Sequence, residues 1–122
     1  MSVTPYLSQK DAQAAIAFYV EAFGARETFR LPAEDKKRIM HAVLEIAGGQ
    51  IFLSDMGPAP TPAGVTIALA LEKPADVDTQ AARFAAAGGT VTLAPQDMFW
   101  GDRFAELTDP FGHHWILNAP KG

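Results

Sequence analysis

Apolar positions recur along this chain at two periods, and the periods alternate in the same order twice. From Val3 to Ser8 a short apolar run with a proline near its start predicts a strand, at a sheet edge or a strand beginning. After Asp11, residues Ala15, Ile16, Tyr19, Val20 and Phe23 recur at spacings of three and four, which predicts an amphipathic helix. A carboxylate at Asp11 suits the helix start, and Gly24 suits its end. Arg26 to Leu31 alternates loosely, as a strand does, and Pro32 to Lys37 is a polar turn. Arg38 to Ile46 alternates more strongly, placing Met40, Ala42, Leu44 and Ile46 on one face and His41, Val43 and Glu45 on the other. Gly48-Gly49 predicts a hairpin turn, with Gln50 to Ser54 as the return strand.

Met56 to Gly64, with Pro58, Pro60 and Pro62 between Gly57 and Gly64, reads as a linker. The second half then repeats the first. Val65 to Leu71 is an apolar strand, and Pro74 followed by Asp76 and Asp78 marks a helix start. Val77, Ala81, Phe84 and Ala85 form the expected buried stripe, ended by Gly88-Gly89. Thr90 to Leu93 is a strand, Gln96 to Trp100 leads into a turn at Gly101-Asp102, and Arg103 to Thr108 is a strand. Asp109-Pro110-Phe111-Gly112 is a turn, and His114 to Asn118 is the last strand. Strand, helix and three strands occur twice, which predicts an α+β fold of two βαβββ modules, about 1–56 and 65–119, in one domain spanning 1–122.

Composition narrows the partners. The formal charge is −4, so duplex nucleic acid and anionic membranes are repelled on average. The one basic run, Lys36-Lys37-Arg38, adjoins Glu34 and Asp35 and reads as a solvated turn. With no cysteine, the chain has neither disulfides nor thiolate sites. No signal peptide or membrane-spanning run is visible, which places the protein in the cytoplasm by expectation.

Asp11 to Tyr19 resembles the first helix of vicinal oxygen chelate proteins, the superfamily of glyoxalases, bleomycin-resistance proteins and extradiol dioxygenases. Trp100-Gly101-Asp102-Arg103, followed by Asp109-Pro110-Phe111-Gly112-His113-His114-Trp115, is similar to the signature of the PhnB-like branch, first named from phosphonate-metabolism operons. The resemblance covers about residues 3 to 119. It implies that the two modules pair into a curved mixed sheet forming a cup, usually within a homodimer. It also implies a divalent metal held by His, Gln or Glu, two per module, from the first and last strands. Those positions fall near Thr4, Leu53, Thr66 and Ile116, none of them a good ligand, so the expectation is no metal cofactor. A shifted site using His41, His114 and a glutamate is the alternative.

A metal-free cup makes its lining the point. The candidate ligand-binding residues are Tyr6, His41, Phe99, Trp100, Arg103, Glu106 and His114. Trp115 is expected in the core and Asp109 in a turn-capping role. Arg103 has a second reading, pairing with Asp102, Glu106 or Asp109, and His113 is expected to be solvated or bonded to backbone. The resulting expectation is a protein of the bleomycin-resistance kind that binds a small, partly apolar molecule in a dimer cup. A metal-dependent lyase or isomerase of the glyoxalase type is the second reading, and a ligand-free regulatory or structural dimer the third.

Overall fold

A computed structural model describes residues 1–57 and 63–121, and the chain falls into two units, 1–62 and 63–122. In the first, β1 (Tyr6–Ser8) leads into α1 (Ala12–Phe23) and then β2 (Arg26–Pro32), β3 (Ile39–Ile46) and β4 (Gly49–Ser54). The sheet order is β1-β4-β3-β2, with β1 parallel to β4 and the other pairs antiparallel. In the second unit, β5 (Thr66–Ala70), α2 (Pro74–Ala86), β6 (Thr90–Asp97), β7 (Asp102–Thr108) and β8 (His114–Pro120) repeat the plan. Its order is β5-β8-β7-β6, with β5 parallel to β8. The α+β class and the doubled βαβββ plan are as expected, realised as two four-stranded mixed sheets. Part of the expected linker, residues 58–62, lies outside the described residues. No helix among the described residues is long and apolar enough to cross a membrane.

Local chemistry explains where the helices begin and end. Asp11 has extended backbone, and its carboxylate accepts the Ala14 N–H at 3.1 Å, satisfying one of the orphan donors of the first turn. Gly24 closes α1 in the left-handed region at φ 67°, where a side chain would clash. Its N–H reaches the Val20 carbonyl, and the Ala25 N–H reaches that of Tyr19. Pro74 opens α2, where a missing N–H costs nothing, and Asp76 accepts the Lys73 N–H at 3.1 Å.

One face of each sheet is buried with its helix. Leu7, Ala42, Leu44, Ile51 and Leu53 are buried in the first unit together with Ala12, Ala15, Ile16, Phe18, Tyr19 and Ala22 of α1. In the second, Ala105, Leu107, Trp115, Leu117 and Ala119 are buried with Val77, Ala81 and Phe84 of α2. Burying a large apolar side chain contributes about 1.5–3 kcal/mol, so these two stripes hold most of the stability.

Several positions depart from the simple period. Val20 and Ala85, expected in helix stripes, are exposed, because the buried face of α1 is centred on Ala15 and Tyr19 and that of α2 on Val77, Ala81 and Phe84. Met40, expected inward, is exposed, and Ile39 is buried instead. A pairing shift between Leu31 and Pro32 inserts one extra residue into β3, which turns the alternation over at that point. The first hairpin turns at Ala47 and Gly48, both at positive φ, rather than at Gly48-Gly49, and Gly49 begins β4. Val3, Thr4 and Pro5 stay outside β1. Thr90 through Asp97 is one strand, interrupted by two pairing irregularities.

Candidate functional site

Strand alternation sorts the side chains of β7 and β8 before any contact is considered. Ala105, Leu107, Trp115 and Leu117 take the buried face, so Glu106, Thr108, His114 and Ile116 take the opposite one. Pairing of β5 with β8 sets Thr66 beside His114, and pairing of β7 with β8 sets Glu106 beside Ile116. These residues, with Thr92 from the irregular part of β6, line a cavity of about 300 Å³ that Leu107 and Trp115 also border. Thr92 was not singled out from sequence. The signal that would have found it, alternation with Thr90, is spoiled by the shift in pairing between Val91 and Leu93.

His114 has little freedom in this cavity. Its Nε2 lies 3.1 Å from the Ala63 carbonyl oxygen, and its Nδ1 lies 3.1 Å from the Thr108 hydroxyl. A carbonyl only accepts, so Nε2 donates to it, while the Thr108 hydroxyl is able to give or take a proton at Nδ1, and both ring nitrogens are used. Glu106 is exposed and makes no hydrogen bond or ion pair among the described residues. Among the described residues it is the only acidic or basic side chain besides the imidazole that lines the cavity.

The closing turn of the unit supports this wall. Asp109 is buried, and its Oδ1 accepts the N–H groups of Phe111 at 2.9 Å and His113 at 3.0 Å. Its Oδ2 accepts the indole N–H of Trp115 at 2.9 Å. His113 is buried and bonded to backbone rather than solvated: its Nδ1 accepts the Val65 N–H at 3.0 Å. At Gly64, with φ 69°, a Cβ would overlap the Gly112 carbonyl, so the chain enters β5 through a point that only glycine passes.

The other candidate residues lie elsewhere. Arg103 is on the face of β7 that carries Ala105 and Leu107. Its guanidinium bonds both oxygens of Asp78, on α2, at 2.6 and 2.7 Å, and also Asp97 at 2.9 Å and the Pro95 carbonyl at 3.5 Å. These partners are not the Asp102, Glu106 or Asp109 considered from sequence. Asp78 and Asp97 are held below the ordinary aspartate range, chiefly by hydrogen bonds from Arg103, which is itself held more firmly protonated. Phe99 and Trp100 sit on the turn between β6 and β7, 96% and 50% exposed, in an edge-to-face chain with Phe104. Tyr6 and His41 belong to the first unit. There His41 lies between Phe52, at a ring-centroid distance of 4.8 Å, and Phe29, at 6.0 Å, and Tyr6 pairs with Phe52 across strands. Of the sequence-derived candidates, the structure therefore brings Glu106 and His114 into one cavity and Tyr6 and His41 onto one sheet face.

The superfamily's metal positions were sought near Thr4, Leu53, Thr66 and Ile116. Leu53 is fully buried on the helix-covered face, in register with Leu7 and Ala42, so it faces away from any open-face site. In the second unit the open-face groups nearest those positions are a threonine hydroxyl, an isoleucine, an imidazole whose nitrogens are both bonded, and the single carboxylate of Glu106. Such a set does not fit a divalent ion. Among the described residues no three of His, Cys, Asp and Glu are grouped as ligands.

Comparison with known proteins agrees with this architecture. The sequence model of the Glyoxalase/Bleomycin resistance protein/Dioxygenase superfamily matches residues 4–117. An uncharacterized protein of Mycobacterium tuberculosis strain H37Rv is 42% identical over 130 residues, covering 98% of this chain and 74% of that protein. YjdN of Escherichia coli K12 is 30% identical over 145 residues, covering 99% of this chain and 97% of its own length. The crystal structure of TioX from Micromonospora sp. ML1 superposes with a TM-score of 0.78 at 27% identity, over 100% of this chain and 98% of that one. The chain belongs to the glyoxalase/bleomycin resistance protein/dioxygenase superfamily.

Proposed function

We propose that this chain is a binding protein of the bleomycin-resistance kind, which takes a small, partly apolar molecule without a resident divalent metal. The observation that carries this reading is the donor set of the second unit's cavity. His114 has spent both ring nitrogens on Thr108 and Ala63, Thr66 and Ile116 stand where ligands are expected, and Glu106 alone of the described lining residues brings a carboxylate. The wall is mixed, with Ile116 offering apolar surface and the two threonines offering hydroxyls, as small-molecule sites commonly do. Phe99 and Trp100 at the β6–β7 turn, with Tyr6 and His41 on the first sheet, are held in reserve as further contacts. Assembly as a homodimer, a place in the cytoplasm and membership of the PhnB-like branch belong to the same reading. The branch rests on the Trp100–Arg103 and Asp109–Trp115 motifs.

Elemental analysis of tag-free protein, paired with thermal shift against a panel of small aromatic ligands with and without a chelator, tests it. The expected result is far less than one metal ion per chain and ligand shifts that survive the chelator. A ligand at about a hundred times its Kd adds about 3 kcal/mol to folding stability. One divalent ion per chain, with activity or binding lost on chelation, would overturn the reading in favour of a glyoxalase-type lyase or isomerase.

A further inference from the structure

We propose that the cavity of the second unit selects a cation: its ligand bears a protonated amine, amidine or guanidine that seats against the carboxylate of Glu106. The inference rests on the binding reading above and adds the sign of the ligand's charge. Three observations carry it. Glu106 has no partner among the described residues, whereas Arg103 holds Asp78 and Asp97, and Lys121 holds Asp97. Among the described residues no lysine or arginine lines the cavity, and the nearest arginine along β7, Arg103, is committed on the opposite face. Both ring nitrogens of His114 are engaged, by Thr108 and by the Ala63 carbonyl, so neither is left to hold an anionic ligand.

The rest of the wall suits such a ligand. The hydroxyls of Thr66 and Thr92 accept further N–H bonds from an ammonium or amidinium group, and Ile116, paired with Glu106 across the strands, meets an apolar body. An anion would meet the carboxylate with nothing to neutralise it, in a chain whose formal charge is already −4. The chemistry fitted is therefore a monocation with an apolar or aromatic portion.

The test uses three probes that share one ring system and differ in charge: tryptamine, indole-3-ethanol and indole-3-acetate. Binding to the full chain is followed by calorimetry and by NMR shifts of the Ile116 and Thr66 methyl groups. Tryptamine is expected to bind about tenfold more tightly than the alcohol, a charge-assisted hydrogen bond of about 1.4 kcal/mol, and indole-3-acetate least of all. Raising salt weakens tryptamine and leaves the alcohol unchanged. Glu106→Gln is expected to bring tryptamine down to the level of the alcohol. Ile116→Lys, which sets an internal ammonium beside Glu106, abolishes the preference for tryptamine, and it serves if the first variant folds poorly. Equal binding of the three probes, a preference for the acetate, or no tryptamine-induced shift at Ile116 and Thr66 overturns the inference. Failure of the metal-free reading is seen separately, as metal in the elemental analysis, and equal binding by metal-free protein sinks the charge preference alone.

Discussion

The two units share an element order and a sheet order, β1-β4-β3-β2 and β5-β8-β7-β6, yet their open faces carry different chemistry. The first unit presents rings: His41 against Phe29 on one side and Phe52 on the other, with Tyr6 beside Phe52. The second presents a cavity of mixed polarity around Glu106 and His114. Their anchoring carboxylates differ in the same sense. Asp55 in the first unit joins α1 to β3, accepting the Ala12 N–H at 3.0 Å and the Ile39 N–H at 2.8 Å. Asp109 in the second is more deeply buried, accepts two backbone N–H groups, and also holds the Trp115 indole. A repeated backbone keeps the helix-covered faces interchangeable in kind, because both have only to be apolar and close-packed. The faces turned away from the helices are free of that demand, and there the halves diverge.

Substitutions can break or sharpen this contrast. The largest effect is expected at Trp115, fully buried and bonded to Asp109: Trp115→Ala removes core volume and leaves a carboxylate oxygen unpaired, costing about 3–5 kcal/mol in thermal or denaturant unfolding. Next comes the pair of anchors. Asp109→Ala, which strands two N–H groups and the indole, should cost about 3 kcal/mol, and Asp55→Ala, at a less buried site with two donors to strand, about half as much. Equal losses in denaturant midpoints would erase the asymmetry drawn here.

A smaller effect separates the units by pH. Asp78 and Asp97 in the second unit are held below the ordinary aspartate value of 3.8, chiefly by Arg103, and Asp35 in the first is lowered to about 2 by the Arg38 and Lys37 backbone N–H groups and the Arg38 side chain. A lowered folded-state value means that the unfolded chain takes up protons first as pH falls. The stabilisation is complete above about pH 4 and is lost on acidification through the folded-state values. Arg103→Met should flatten the part of that acid loss owed to Asp78 and Asp97, and Arg38→Met the part owed to the Arg38 side chain at Asp35. Both are read from melting temperatures between pH 2 and 5. All these groups are solvent-exposed, so added salt should shrink the effect. The smallest change is expected from Tyr6→Phe, at a half-exposed ring: under about 0.5 kcal/mol of stability in thermal unfolding.

Much of the fold was legible because its signals are local. A carboxylate at Asp11, a glycine at Gly24 and a proline at Pro74 act on the backbone within a turn of their own positions, whatever surrounds them. The turn at Asp109 and the inward direction of Trp115 were legible for the same reason: a turn residue and a strand period each speak for themselves. Faces were less secure. In a strand one extra residue exchanges inside for outside, and the pairing shifts near Pro32 and Val91 did this for Met40 and obscured Thr92. Leu53, placed only by its offset along the chain, lies on the covered face, where an offset of one residue decides the side.

By itself, then, the amino-acid order determined the doubled succession of strands and helices, the helix ends, the apolar stripes and the poverty of metal-ligating side chains at the expected positions, all of which depend on neighbours a few residues apart. Tertiary structure alone decided that Arg103 spends its charge on Asp78, 25 residues away, and that His114 spends both nitrogens on Thr108 and Ala63. It also decided that Glu106, on the cavity wall with His114, has no partner among the described residues. Partnerships of charged and polar groups depend on which strands pair and in what register, and no local period in the chain encodes that.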